Sequence, residues 1–543
     1  MGNIASRTTP RQTSAGLAYD ILEERAAVRD DMPHSTASGG ETIASRSNGR
    51  LHFGHLDGCR AIAAIWIILE HYASVQRAAD DSNLSIIYKG GHFAGFFMHG
   101  NTPVGYFITL SGFVTSYAYG GRDMTREKRI DFLIKRFSRV ALSYYAAAVL
   151  GALVRPLMPP IRQSARARTS PASVAMELLM AQSVFLDFGS LNSPSWTVSS
   201  LACCWLLYPW MLQPGLKGMS PTGLIAVAAL CMITIWSTAY LSTLSCVEGK
   251  QPVHWGPMRA FECQPGFCLL DQYLHVSPIA RLLEFALGAA CGRLLQLHSS
   301  VRTAGTSWPG AWLATCALLA VPLLAAVDWL DCAQFAGVGE AEHAEAACAH
   351  RSRQAFYSCL SPFFAIFMLA SCSGARATSP PHEASVESRP SRSAWRGPVL
   401  DLLSSQVLVG LGSVSYQVYV FQEPVHIVWA HQYAAAAGNS NVIMQAGVRE
   451  QQSFFAIYIV GFIISLWTFA AAFASYVEAP VMRAIVDGMK RSQLNEGAAQ
   501  VIDGAVSIWT ALAWVCAIGA GISNVGGAYV ALLSGSLEDH ADS

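Results

Sequence analysis

The sequence predicts an all-α protein, a polytopic transmembrane helical bundle of about ten to twelve helices. Three observations predict it. Of the 543 residues, 52% are hydrophobic and 13% are charged, against roughly 25% charged in a typical soluble domain. Apolar runs near the ~20 residues a bilayer-crossing helix requires recur along the chain. None of these runs alternates with the two-residue period of a barrel strand. The formal net charge is zero, so nucleic acid is not an expected partner.

Residues 1–50 are rich in Ser, Thr, Arg, Gly and Ala without apolar periodicity, which predicts a disordered cytosolic tail. They contain no apolar h-region of a signal peptide. Met1-Gly2-Asn3-Ile4-Ala5-Ser6 fits a myristoylation pattern. The main membrane domain is expected over 51–485, and 486–543 adds one transmembrane helix, near 504–534, with a short tail.

The first predicted helix begins Leu56-Asp57-Gly58-Cys59-Arg60 and continues through an apolar run to Glu70-His71-Tyr72. Arg60 and His71 are eleven positions apart. Three helical turns separate them, so they share a face about 16 Å apart along the axis. Glu70 points about 100° away from His71 on an ideal helix and is not automatically its partner. Ionisable residues inside a spanning segment are expensive and rarely face lipid. The plainer reading of His71 is a hydrogen-bonded packing residue. A histidine is otherwise suited to serve as a general base, because imidazole titrates near neutrality.

A second span over 93–119 contains Gly105-Tyr106-Phe107-Ile108-Thr109-Leu110-Ser111-Gly112-Phe113. Ser111 sits mid-span, where the neighbouring Gly lets backbones approach closely. The connection after it carries Arg122, Arg126, Lys128, Arg129, Lys135, Arg136 and Arg139 against three acidic residues, which assigns it to the cytosol. Arg136 and Arg139 are either positive-inside anchors or grips for an anionic substrate. The loop containing the sequon Asn83-Leu84-Ser85 then faces outward.

Further apolar runs lie at 138–158, 173–188, 197–213, 221–245, 278–297, 308–330, 356–373, 402–430, 453–477 and 504–534. The run at 173–188 is short for a span. Counting sides forward from 120–139 and backward from the Ser/Pro-rich 374–400 gives opposite results for the Arg-bearing 155–170. One run in between is therefore re-entrant or interfacial. Cys246, Cys263, Cys268, Cys332 and Cys348 fall in the polar segments 246–277 and 331–355, where disulfides form if those segments face an oxidising compartment. No Cys/His spacing suggests a metal.

Polar groups recur within the apolar runs at few other places. Pro194-Ser195-Trp196-Thr197-Val198-Ser199 opens a helix with Ser195 or Thr197 as its cap. Arg281 and Glu284 stand at i, i+3 and can pair on one helix face. Gly412 to Pro424 combines a Gly/Ser turn with Tyr416, Tyr419 and Phe421, an interfacial belt or the wall of a pocket. Phosphate loops, HExxH helices and GxSxG elbows are absent from the sequence.

Taken in order, these stretches resemble the acyltransferase 3 family of integral-membrane O-acyltransferases. An LDGLRGIAA-like helix start followed by a histidine corresponds to Leu56–Ala64 and His71, and an FFxxSGF-like motif to Tyr106–Phe113. The RRxxRIYP-like start resembles Lys135–Leu142, RxxEFxxG resembles Arg281–Gly288, and GxxSYxxYLxHxP resembles Gly412–Pro424. Val477-Glu478-Ala479-Pro480 closes the series. Two departures stand out: the acidic pair of the PxWSLSVEEQFY-like stretch is Leu201 and Ala202, and Gln422 occupies a position that often holds His.

The resemblance implies an integral, multi-pass membrane enzyme that moves an acyl group, with acetyl expected, from acyl-CoA to a hydroxyl of a carbohydrate or lipid acceptor. It implies no bound cofactor. His71, Arg60 and Ser111 would be catalytic, with His71 as general base, Arg60 steadying the donor and Ser111 lining the path. Arg136, Arg139, Trp196, Glu284 and Tyr416 would bind substrate. The alternatives are a proton-coupled membrane transporter, with His71 and Glu70 as relay, and a catalytically silent family member.

Overall fold

A computed structural model of the protein describes residues 53–77, 102–157, 171–185, 191–247, 275–299, 308–335, 359–373, 397–436 and 448–483. The tail at 1–50, the sequon at 83–85 and the expected C-terminal helix at 504–534 lie outside the described residues. So do the side chains of the cysteines for which disulfides were expected. Among the described residues every regular element is helical and none is a strand.

The long helices are α1 (Gly54–Arg77), α2 (Thr102–Tyr119) and α3 (Arg126–Val154). A short α4 (Pro171–Leu178) precedes α5 (Trp196–Leu207), and a π turn over Tyr208–Leu212 leads into α6 (Gln213–Lys217). There follow α7 (Pro221–Val247), α8 (Pro278–Ser299), α9 (Trp308–Phe335) and α10 (Ser361–Ser373). The last described helices are α11 (Pro398–Leu403), α12 (Gln406–Ser413), α13 (Ser415–Ala436) and α14 (Val448–Phe473).

Local chemistry sets several boundaries. Thr125 caps α3 by accepting the amide of Lys128, and Ser405 caps α12 by accepting that of Leu408, which satisfies donors that a helix start leaves unpaired. Lys217 pairs with Asp123 across the polar end of the bundle, and its hydrogen bond and charge hold that carboxyl below the ordinary range.

Three helical stretches are long and apolar enough to cross a bilayer: Arg126–Leu157, Pro221–Ala239 and Tyr458–Arg483. Their outward residues are greasy, with Leu153 71% exposed, Leu230 64% and Ile464 61%. Apolar side chains standing outward on successive turns suit lipid and not water. The protein is an integral membrane protein. Within the short run at 173–188 the described residues form the eight-residue α4 and a 3-10 turn at Gln182–Phe185. Eight residues rise about 12 Å, too little to cross, so this is a run that does not span.

Close helix contacts are made at glycines. A Cβ on Gly112 would stand 2.0 Å from the Phe285 carbonyl oxygen, and one on Gly288 would stand 2.0 Å from that of Thr109. Backbone therefore lies on backbone where α2 crosses α8, as small residues permit in membrane bundles. This contact places Arg281 and Glu284, two turns and one turn before Gly288, against the middle of the bundle. Tyr106 donates to the Leu56 carbonyl at 2.8 Å, which ties α2 to the start of α1.

Candidate active site

His71 lies near the C-terminal end of α1, partly exposed. Its Nδ1 is 3.0 Å from Gln422 Oε1 on α13. The amide of Gln422 is itself oriented, because its Nε2 donates to the Tyr419 carbonyl at 2.9 Å. A carbonyl only accepts, so the amide nitrogen faces Tyr419 and the amide oxygen faces His71. Nδ1 of His71 must then carry the proton. In the neutral ring Nε2 is then the nitrogen able to accept a proton, which is the tautomer a general base requires.

Glu70 reaches the same ring. Its Oε2 lies 3.6 Å from His71 Nε2, although helix geometry directs the two residues about 100° apart. The flexible Glu side chain closes part of that angle. At 3.6 Å the pair is too long for a hydrogen bond. Glu70 is only 9% exposed, so its carboxylate is placed to stabilise an imidazolium once Nε2 takes up a proton.

Around this pair a polar layer crosses the bundle. Thr197, next to Trp196 in the chain, has its Oγ1 2.9 Å from the Tyr419 hydroxyl. Arg281 donates to Glu284 at 2.9 Å with both side chains fully buried, as their spacing predicts. The Arg281 guanidinium lies 5.5 Å over the Trp196 ring. Its Nε donates to the His275 carbonyl at 2.8 Å. Glu70, His71, Trp196, Tyr419, Arg281 and Glu284 thus form one connected region, held by α1, α5, α8 and α13.

The other expected residues lie elsewhere. Arg60 is at the opposite end of α1 and pairs with Asp57 one turn back, Nη1 to Oδ1, at 3.0 Å. Ser111 Oγ accepts the Trp205 indole N–H at 3.0 Å. Arg136 and Arg139 sit together in the first half of α3, with Arg136 packed 5.7 Å over the Phe132 ring. Tyr416 donates to the Val140 carbonyl at 2.9 Å, next to that basic pair. The polar region about His71 and the basic region about Arg136 and Arg139 both reach α13, the first through Gln422 and the second beside Tyr416.

The expected cap of α5 is different in detail. Ser195 occupies the N-cap position without a capping hydrogen bond. Its hydroxyl turns to Glu177 Oε1 at 3.0 Å and accepts from Gln182 Nε2 at 3.0 Å. The fully buried Glu177 also accepts the amides of Leu191 and Asn192 at 2.7 and 3.0 Å. A carboxylate with three donors outcompetes a helix terminus for the hydroxyl. The result is a turn pinned from α4, which sets where Trp196 and Thr197 enter the bundle. Leu201 and Ala202 join the apolar core at 3% exposure for Ala202, so no carboxylate is buried there.

A sequence model of an acyltransferase domain matches residues 53–490. The chain belongs to the acyltransferase 3 family. No curated protein and no solved structure is significantly similar to it. The family consists of membrane acyltransferases, and this member is a transferase of acyl groups other than amino-acyl groups. Sequence reasoning singled out His71, Trp196, Arg281 and Glu284. It treated Gln422 as a departure from the family pattern, placed Tyr419 only in an aromatic belt or pocket wall, and passed over His275 and Glu177.

Proposed function

We propose that the protein is a multi-pass O-acyltransferase that moves an acyl group, acetyl in the simplest case, from acyl-CoA to a hydroxyl of a carbohydrate or lipid acceptor. The observation that carries the reading is His71, with Nδ1 committed to Gln422 and Nε2 beside Glu70. That arrangement prepares one nitrogen to accept a proton and places a carboxylate to stabilise the resulting cation.

In this reading the acceptor hydroxyl approaches Nε2 of His71 and attacks the thioester carbonyl as its proton is withdrawn. Arg136 and Arg139 grip the phosphates of the donor, for which a guanidinium is geometrically matched. Arg60 steadies the donor, and Ser111 lines its path. Trp196, Glu284 and Tyr416 contribute to binding, Trp196 and Glu284 from the polar layer and Tyr416 by joining α13 to α3 beside the arginines. The carboxylate missing at 201 and 202 is replaced in the layer by Glu70 on α1. The test is transfer of label from radioactive acetyl-CoA into material in membranes that contain the full chain. Positioned proton transfer contributes about 10²–10⁴-fold, so His71→Ala should lose that factor while its membrane abundance is maintained. Full transfer by His71→Ala would reject the reading.

A further inference from the structure

Arg293, near the C-terminal end of α8, is 9% exposed and lies outside the motifs that relate the chain to its family. A guanidinium keeps its charge in proteins, and a buried charge is costly unless an opposite charge meets it. Arg281, about three turns earlier on the same helix, follows that rule with Glu284 as its counter-ion. Arg293 has only neutral acceptors. Its Nη1 donates to Gln296 Oε1 at 2.5 Å and its Nη2 to the Lys217 carbonyl at 3.0 Å. Its Nε meets no acceptor among the described residues. The carboxylate of Asp123 is taken by the Lys217 side chain.

The turn after α2 lies against this guanidinium. Gly121 is exposed, and a Cβ there would stand 2.8 Å from Arg293 Nη1 and 3.2 Å from Gln296 Oε1. A Cβ on Gly120 would stand 3.1 Å from Arg293 Cδ. Gln213 fastens the turn to α6 by donating to the carbonyls of Gly120 and Arg122 at 3.4 and 2.8 Å. No side chain at 121 stands between the surface and Nη1. The surroundings are basic: Arg122 lies 5.1 Å over the Tyr119 ring, Tyr119 is 5.1 Å from Phe132, and Arg136 lies over the other ring of that pair. Arg293 therefore belongs to the same end of the bundle as Arg136.

We propose that Arg293 and the Gly120–Gly121 turn form an anion site that takes a phosphate group at the basic end of the bundle. A guanidinium matches the oxygens of a phosphate and supplies the charge it requires. Phosphate reaches this end from two sources, the nucleotide of the acyl-CoA donor and the head group of an anionic phospholipid. With the first source the site extends the grip of Arg136 and Arg139 and rests on the acyl-transfer reading above. With the second it is independent of that reading.

The test uses the purified full chain in nanodiscs of phosphatidylcholine, alone or mixed with phosphatidylglycerol, and the variants Arg293→Gln and Gly121→Ala. Calorimetric titration measures the binding of CoA and of pantetheine, which carries no phosphate. Thermal unfolding measures the effect of the anionic lipid. Loss of a charge-assisted contact should weaken CoA by roughly tenfold or more in both variants, with pantetheine binding unchanged, if the nucleotide is the source. If the lipid is the source, phosphatidylglycerol should raise the melting temperature of the wild type and of neither variant. Should Arg293→Gln fail to fold, Gly121→Ala decides, because its methyl would meet only the tips of flexible side chains. Pantetheine binding lost in step with CoA overturns the proposal. So do variants that bind CoA as the wild type does and gain the same stability from phosphatidylglycerol. Both of those outcomes leave the acyl-transfer reading standing. A wild type that binds no CoA removes that reading, and the lipid comparison still decides the role of Arg293.

Discussion

Nδ1 of His71 and Oε1 of Gln422 stand 3.0 Å apart although 351 positions separate them in the chain. This contact converts a substitution within a family motif into the device that orients the ring. Gln422→Leu leaves a Nδ1–H without its acceptor, a penalty of about 1–3 kcal/mol. We expect kcat to fall by roughly tenfold to a hundredfold on that basis, with KM for the donor little changed. Gln422→Glu retains an acceptor at the same place and should fall less. Steady-state rates in membranes of matched protein content check both.

The buried Arg281–Glu284 pair should behave asymmetrically. Arg281→Met strands a fully buried carboxylate, and breaking such a pair from one side costs about 3–5 kcal/mol. The expected result is a lowered melting temperature in detergent. The double variant Arg281→Met, Glu284→Leu removes both charges and should recover much of that stability, yet it should not recover acyl transfer. Recovery of transfer as well would assign the pair to packing alone.

Gly288→Ala tests the close approach of α2 and α8. The added methyl would stand 2.0 Å from the Thr109 carbonyl oxygen, a contact that backbone must move to relieve. Overpacking of this kind typically costs about 1–3 kcal/mol. Thermal unfolding should register that loss, and transfer should fall with it because Glu284 is one turn away on the same helix. Gly218, near which nothing lies within 4 Å, serves as the control: Gly218→Ala should leave both measurements unchanged.

If Arg136 and Arg139 hold the donor phosphates, their neutralisation should be felt in binding and not in chemistry. Charge-assisted hydrogen bonds contribute about 1.5–3 kcal/mol, so Arg136→Gln, Arg139→Gln should raise KM for acetyl-CoA by roughly tenfold or more while leaving kcat within a few-fold. Acetyl-pantetheine carries no nucleotide phosphates, and the variant should use it as well as the wild type does. Equal loss with both donors would place the arginines in a purely anchoring role.

Several features of this protein are properties of the chain alone. Low charge and long apolar runs dictate helices in a bilayer, since backbone groups in lipid must be satisfied within their own segment. The spacing of Arg281 and Glu284 determined their pairing, because three residues separate neighbours on one helix face. The ordered motifs from Leu56 to Pro480 located the family and His71 within it.

What only the tertiary structure decided is which side chain a ring nitrogen of each imidazole faces. His71 depends on an amide from α13 that is itself oriented by Tyr419, and His275 depends on a guanidinium six residues ahead whose own partners are Glu284 and Trp196. The bending of Glu70 toward His71 and the diversion of Ser195 from its cap to Glu177 belong to the same class. Periodicity describes the face on which a side chain starts. A hydrogen bond is decided by where several flexible side chains end, and that requires helices distant in sequence to be packed together first.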